Sequence, residues 1–403
     1  MAAAPRGIFR VDALKHLLTD LFASPVAVDR WEQVEPWAVT RGWLQGTSVL
    51  PRSVVVKWTP NGQRDARTAP WRLRTELAAL QFLSEDLGIG LAPRVIAADS
   101  AARFLVLEDL APRVALDQLL RRDGAAAHGD RLAAFARARG ALSAASAGRA
   151  ETYYTRRAEL GPVDAAADQA GRLAPLREEA IERASALGAP LASRGVHEFA
   201  PAMEELNAPG SFLALSNGDA EVNNILLHAS GPTDARLIDF EFAGYTHALT
   251  DAVCLYVPGP AWLTVAIRPP QASPTSTATP WPAAFRKPMT TDRRYGNGLA
   301  AACVSWALVR LQRFALLDTH SPGDHSRLQL IATLEAAART AETYQTLPHL
   351  TAWIRRSVIN AHARGRSKAV SASDRSHGET STARAGRPSA ALGDGTATSA
   401  RTN

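Results

Sequence analysis

The sequence predicts an α+β fold in which an antiparallel sheet precedes a mainly helical region, and three observations carry that reading. From Trp31 to Leu110 short β-patterned runs recur between turn signals. From Ala125 onward Ala, Arg and Leu dominate at helical spacing. Inside the helical region sits one hairpin pattern, in which the apolar runs Asn224–Leu227 and Leu237–Phe240 flank the turn-forming Ser230-Gly-Pro-Thr-Asp234.

A chain of 403 residues with 46% apolar and 21% charged residues has the composition of a soluble globular protein of two or three domains' worth of core. Cys254 and Cys303 are too few for a disulfide framework or a zinc site, which fits a reducing cytoplasm. Asp12, Lys15, His16 and Asp20 interrupt any secretory apolar core at the amino terminus. The longest apolar helix pattern, Leu299–Leu317, is broken by Arg310 and Arg313, so no membrane span is expected. The formal net charge of +6 invites a nucleic-acid reading. Between Arg355 and Arg401, however, basic residues far outnumber Asp374, Glu379 and Asp394, and the remainder is close to neutral. Nucleic-acid binding is therefore not expected as the main function.

Taken in order, residues 1 to about 10 read as frayed. Val11, Leu14, Leu17, Leu18 and Leu21 predict an amphipathic helix over Val11–Phe22, packed on the sheet that follows. Trp37–Arg41 and Val54–Lys57 read as strands, with Gly42–Ser48 as the loop between them. Lys57 ends an apolar strand, where an ammonium is poorly placed unless it meets an anion. A helix over about Trp71–Leu87 places Leu73, Leu77, Leu80 and Leu83 on its core side and carries Glu76. Ala92–Ala97 and Arg103–Leu110 predict two more strands, and Asp117 sits at the start of a helix over Leu116–Arg121.

Helices follow over Arg131–Ala147, Arg172–Ala186 and about Val196–Leu206. Glu151, Tyr153, Tyr154 and Asp164 fall in the connection between the first two. Residues Pro258 to about Asp292, rich in Pro, Ser and Thr, read as a long loop. Three helices are expected at about Gly298–Leu317, Ser326–Thr346 and Leu350–His362. From about Arg364 the near absence of large apolar residues predicts a disordered tail.

The polar residues at the rims of the hairpin carry the chemistry. Asp219 lies in Asn217-Gly218-Asp219 just before the first run, Asn224 opens that run, and Asp239 lies in Ile238-Asp239-Phe240. Phosphoryl transfer needs an acceptor hydroxyl aimed at the terminal phosphate and cations that bridge the phosphates. A carboxylate such as Asp219 can orient the hydroxyl and take its proton, while Asp239 and Asn224 offer the oxygens that magnesium prefers. Either block alone is common in turns; both at this separation are not.

These two blocks resemble the signatures of the aminoglycoside phosphotransferase family, which shares the protein-kinase fold. Asn217 departs from the family's pattern by standing where the first block usually has His, a residue that shapes the loop without meeting the reacting hydroxyl. The resemblance covers roughly residues 30 to 260. It implies a bilobal protein-kinase-like fold with a nucleotide-binding small lobe over 1–110, a helical large lobe over 111–363 and a tail over 364–403. It further implies ATP or GTP and Mg2+ as cofactors, with Asp219 catalytic and Asn224 and Asp239 as metal ligands. Lys57 would hold the nucleotide phosphates and pair with Glu76, although Glu85 or a residue nearer the helix start could be that partner. Gly46, Thr47 and Ser48 would lie over the phosphates as the loop between the first two strands. Glu108 and Leu110 would sit in the hinge that meets the purine through backbone groups. The helical insert would recognise the acceptor: Tyr153, Tyr154, Glu151 and Asp164 suit a cationic one, and a solvated linker explains them equally well. Glu151 and Glu241 are the weaker site candidates; a salt bridge explains Glu241 equally well. Asp251 would cap the helix after the hairpin and brace the Asp219 loop without touching substrate.

The function implied is transfer of a terminal phosphate to a hydroxyl of a small polar molecule by a cytoplasmic kinase. An aminoglycoside, a macrolide, a choline-like amine and a sugar all remain open as acceptors. A catalytically silent kinase-like binding protein is the alternative, favoured by Asn217 and the poor glycine loop. The full set Asp219, Asn224, Asp239 and Lys57 weighs against it.

Overall fold

In the computed structural model the described residues are 11–35, 39–45, 51–59, 70–99, 103–170, 174–186, 188–257, 292–311 and 326–361. Gly46, Thr47 and Ser48, the long loop after Pro258, the first ten residues and the tail lie outside them. The sheet is built from β1 (Ala27–Glu35), β2 (Val39–Gln45), β3 (Ser53–Trp58), β4 (Val95–Asp99) and β5 (Phe104–Glu108). Its order is β1-β2-β3-β5-β4, and every neighbouring pair is antiparallel. Two features of this sheet differ from the sequence reading. Strand β1 precedes the first strand expected, and Gly42–Gln45 continue β2 instead of forming a loop. Both follow from packing: the Trp31 ring lies over Gly42, where an added Cβ would come within 3.0 Å of it, and Arg30 covers Trp43. The connection between the first two strands is therefore 36–38, whereas Gly46, Thr47 and Ser48 fall between β2 and β3.

Alternation along β3 divides the sheet's two faces. Val54, Val56 and Trp58, with Phe104 and Val106 of β5, face helix α1 (Val11–Phe22), whose Leu14 and Leu18 lie one turn apart and are fully buried. Leu18→Ala is expected to lower stability by about 2–5 kcal/mol, read as a lower urea midpoint at unchanged slope. The opposite face carries Val55 and Lys57 and is covered by helix α2 (Pro70–Gln81), which widens into a π turn over Phe82–Asp86. Of the leucines expected on its core side, Leu80 and Leu83 are buried and Leu73 and Leu77 are half-buried.

The remaining elements are β6 (Val114–Ala115), α3 (Leu116–Asp123), α4 (Gly129–Ser146), α5 (Ala150–Glu159), α6 (Ala165–Ala170), α7 (Ala174–Ala186) and α8 (Ser193–Asn207). They are followed by β7 (Leu213–Ser216), β8 (Ile225–Leu227), β9 (Arg236–Leu237), β10 (Gly244–His247), α9 (Leu249–Tyr256), α10 (Asp292–Leu311), α11 (Ser326–Thr343) and a last helix, α12, over 348–361. The architecture is that of a protein-kinase-like fold, an antiparallel sheet with one crossing helix set on a helical body. The connection expected to hold Glu151, Tyr153 and Tyr154 is the helix α5. Tertiary burial of Tyr153 drives it: the ring packs edge-on against Phe82, and the hydroxyl donates to Ala243 O at 3.0 Å.

The expected hairpin forms, with Ile225 paired to Leu237, but its second strand stops at Leu237. Ile238 keeps one bond in register, its N–H donating to Asn224 O (3.1 Å), but the ladder ends there because its carbonyl accepts Asn217 Nδ2 (3.0 Å). Strand β7 pairs with β10, from Leu213 opposite His247 to Ser216 opposite Gly244. Trp353 of α12, fully buried, donates from Nε1 to Ala189 O at 2.6 Å and ties the carboxyl-terminal helices to the body. Among the described residues no helix is long and apolar enough to cross a membrane.

Candidate active site

The site begins with a lysine placed by strand alternation. Lys57 shares its face of β3 with Val55 and points at α2, where Glu76 is 1% exposed. Lys57 Nζ lies 2.7 and 2.9 Å from the two Glu76 carboxylate oxygens and 2.9 Å from Asp239 Oδ1. Burial alone would push the Lys57 ammonium down, but the Asp239 and Glu76 carboxylates outweigh it and hold it protonated. Glu76 also accepts a hydrogen bond from the Phe240 backbone, so α2 is stitched to the segment that carries Asp239. Glu85 takes no part: it forms an ion pair with Arg156 at 2.9 Å.

Asp239 has φ 64°, in the left-handed region where Asp and Asn are the least costly residues after Gly. That conformation turns its carboxylate out of the hairpin and toward Lys57. Glu241, two residues on, forms an ion pair with Arg72, one helical turn before Glu76. Burial and the neighbouring Asp239 charge still push the Glu241 carboxyl up to about 7. Among the described residues the cluster brings the carboxylates Glu76, Asp239 and Glu241 together with the cations Lys57 and Arg72. Arg72 was absent from the sequence reading, although its spacing of four from Glu76 places both on one helix face.

The loop that carries Asp219 is braced from three sides. Asn217, fully buried, accepts from Arg139 Nη1 (2.6 Å) and donates to Ile238 O, which ties the Asp219 and Asp239 segments together. Asn224 Nδ2 donates to Asp219 O at 2.8 Å, and Asn224 Oδ1 accepts from Asn223 Nδ2 at 2.9 Å. Asn224 itself closes a single 3-10 turn, Val222–Asn224, instead of opening the strand. Asp251 makes no helix cap; its Oδ1 accepts from Ser216 Oγ (2.5 Å), which in turn accepts from Gly218 N (2.8 Å). The bracing expected of Asp251 is present and the capping is not, because Asp251 lies inside the first turn of α9 and Ala248 occupies the cap position. Arg139, on α4 and fully buried, lies 3.5 Å from Asp251 Oδ2.

Gly218 has φ 78°, and a Cβ there would come within 2.2 Å of Phe242 O. The Asp219 loop and the Asp239–Phe242 segment can touch only because this position has no side chain. Gly218→Ala is expected to cost about 2–4 kcal/mol, from the left-handed backbone plus the clash, and to depress turnover more than a core substitution of equal cost. Thermal melts paired with activity at a temperature where both proteins are folded would check this.

Beside the loop opens a cavity of about 410 Å3, walled by Asp219, Gly218, Asp164, Asp168, Arg157, His247 and the aromatic rings of Trp71, Phe242 and Trp306, among others. Of the residues expected in acceptor recognition, Asp164 lines this cavity while its Oδ1 caps α6, accepting Ala166 N and Ala167 N at 3.0 Å each. Tyr154 donates to Asp168 Oδ2 at 3.2 Å. Glu151 is exposed and is not on the cavity wall. Tyr153 and Arg157 set the inward side of α5, and Glu151 lies ~200° round the helix from Tyr153. Arg157 and Asp168 gave no signal in the sequence, since both sit among Ala, Arg and Glu residues typical of an exposed helix.

At the expected hinge, the Glu108 side chain turns to β4, accepting Arg94 N at 3.2 Å and facing Arg94 Nε at 3.5 Å. Leu110 O accepts Arg113 N at 3.1 Å, and Leu110 N–H makes no hydrogen bond to a described residue.

The sequence pattern of the phosphotransferase enzyme family matches residues 41–282, more than half of the chain. The chain belongs to that family. No curated protein matches it. Among solved structures, it is similar to the choline kinase LicA from Streptococcus pneumoniae, at 13% identity over 83% of this chain and 98% of that one, TM-score 0.42. A choline/ethanolamine kinase family protein from Mesorhizobium loti is 15% identical over 86% and 99% of the two chains, TM-score 0.44. The macrolide 2'-phosphotransferase MphH from Brachybacterium faecium is 15% identical over 82% and 97%, TM-score 0.43. The phosphotransferase assignment stands on the match over 41–282, which takes in Lys57, Glu76, Asp219, Asn224 and Asp239.

Proposed function

We propose that this phosphotransferase moves the terminal phosphate of ATP or GTP to a hydroxyl of a small polar molecule held in the cavity beside Asp219. One observation carries the reading: Lys57, Glu76 and Asp239, distant in the chain, meet within 2.9 Å, and Asn217 links the Asp239 segment to the loop of Asp219. In this reading the acceptor oxygen bonds to the terminal phosphorus as the bond from that phosphorus to the bridging oxygen breaks. The hydroxyl proton passes to Asp219 and then to solvent, and the nucleoside diphosphate leaves. Lys57 holds phosphate oxygens, kept in place by Glu76. Leu110 N–H, without a partner among the described residues, is available to the purine edge, and backbone contacts of this kind leave ATP and GTP equally plausible.

The donor set fits magnesium. Asp239 and Asn224 present a carboxylate and an amide oxygen, the small number of hard ligands that this ion combines with phosphate and water. When bound, the ion would neutralise charge on the phosphates; every positioning contact described above belongs to the protein.

Measuring magnesium-dependent release of ADP or GDP against a panel of hydroxylated compounds tests the proposal. Stimulation by at least one compound is the expected result. Nucleotide binding without turnover across the panel would instead mark a catalytically silent kinase-like binding protein.

A further inference from the structure

Two charged groups on the wall of the cavity beside Asp219, Arg157 and Asp168, form no ion pair with a described residue. Arg157 is only 6% exposed; its Nη2 donates to Thr75 Oγ1 at 2.6 Å, while Nη1 has no hydrogen-bond partner. No carboxylate of the described residues lies within ion-pair distance of it. A guanidinium removed from water is costly without an anion, and buried arginines are accordingly paired. Arg139, equally buried beneath the Asp219 loop, has Asp251 as its counter-charge. On the same cavity wall Asp168 accepts the Tyr154 hydroxyl and, among the described residues, meets no cation at ion-pair distance. Arg157 and Asp168 therefore line one cavity as a separated positive and negative charge, near enough to influence each other but not joined.

We propose that the acceptor is a hydroxylated zwitterion, whose carboxylate meets Arg157, whose ammonium meets Asp168, and whose hydroxyl is presented to Asp219. The first two contacts stand on the cavity alone; the third rests on the phosphotransfer reading. The unfilled charges are the reason for naming a zwitterion over a simple amine. An amine would satisfy Asp168 and leave the buried guanidinium as it is in the empty protein.

The test uses the full chain and matched probes. L-serine, L-carnitine and trans-4-hydroxy-L-proline carry both charges and a hydroxyl; ethanolamine, choline and 3-hydroxypyrrolidine lack the carboxylate; sodium phosphate is a free anion. The readouts are thermal stabilisation and magnesium-dependent ADP release. At least one zwitterion is expected to raise the melting temperature and to stimulate ADP release tenfold or more over its carboxylate-free partner. Arg157→Met should abolish that preference. Because it removes an unpaired buried charge, the ligand-free variant should melt a few degrees higher than wild type, which a merely structural arginine would not do. Asp168→Asn should instead lose discrimination between L-serine and 3-hydroxypropionate, which lacks the amine, while keeping the carboxylate preference.

The proposal is overturned if no zwitterion changes either readout, or if the carboxylate-free amines perform as well. It is also overturned if phosphate alone gives the same stabilisation, or if Arg157→Met is less stable than wild type or fails to fold. Stabilisation by a zwitterion without any ADP release would leave this assignment standing and remove the phosphotransfer reading. ADP release with amines alone would do the reverse.

Discussion

Asp219→Ala is expected to lower acceptor-stimulated turnover by about 10²–10⁴-fold, the contribution of a positioned general base, while leaving nucleotide affinity within a few-fold of wild type. The separation of the two effects follows from how the loop is held. Its shape depends on Asn217 bound to Arg139 and Ile238, on Asn224 bound to Asp219 O, and on the Ser216–Gly218 contact. All of these survive removal of the Asp219 carboxylate. The phosphate-gripping cluster, Lys57 with Glu76 and Asp239, belongs to other segments. Steady-state ADP release with the best acceptor of the panel, alongside titration of a fluorescent nucleotide, gives both numbers. Turnover by Asp219→Ala at the wild-type rate would refute the catalytic assignment.

Replacing Asp239 should have the opposite profile, with binding lost first. Asp239→Asn is the informative variant because Asn tolerates the left-handed backbone at φ 64°, whereas Ala adds strain unrelated to chemistry. The substitution removes one of the two carboxylates that hold Lys57 and weakens the hardest oxygen available to a divalent cation. Loss of about 1.5–3 kcal/mol from a charged contact corresponds to roughly 10–150-fold in affinity. The loss should appear only when magnesium is present. Nucleotide titrations with magnesium and with a chelator decide it: equal weakening in both would mean that Asp239 acts through Lys57 and not through a cation. The substitution leaves the 2.7 Å Lys57–Glu76 pair and the apolar core of the sheet untouched, so the variant is expected to fold.

The charge arrangement explains why Asn can stand where the family usually has His. Asn217 is neutral, fully buried and uses both ends of its amide, one toward Arg139 and one toward Ile238 O. The guanidinium below it is balanced by Asp251. The loop is thus fixed by a buried cation, its counter-ion and an amide relay.

Much of this was legible in the residues. The periodicity of Val11–Phe22 named a helix that forms over those residues, because its apolar stripe is local information. The hairpin of Ile225–Leu227 with Arg236–Leu237 and the family signatures around Asp219 and Asp239 were likewise visible, since turn chemistry and short motifs are written in consecutive residues. What local pattern could not supply was geometry set by distant partners. The end of the second hairpin strand at Leu237 depends on Asn217 capturing the Ile238 carbonyl. The helical state of α5 depends on a burial site for Tyr153, and the extra strand β1 on Trp31 covering Gly42.

By itself, then, the sequence determined the class of fold, the family and which side chains could do phosphoryl chemistry. Which side chains come together was left to tertiary packing: Lys57 meets Glu76 and Asp239, Arg72 meets Glu241, and Arg157 and Asp168 line one cavity without touching. The reason is physical. Hydrophobic period and turn propensity act over a few residues, whereas the cost of an unpaired buried charge is settled only where segments far apart in the chain come to share one low-dielectric space.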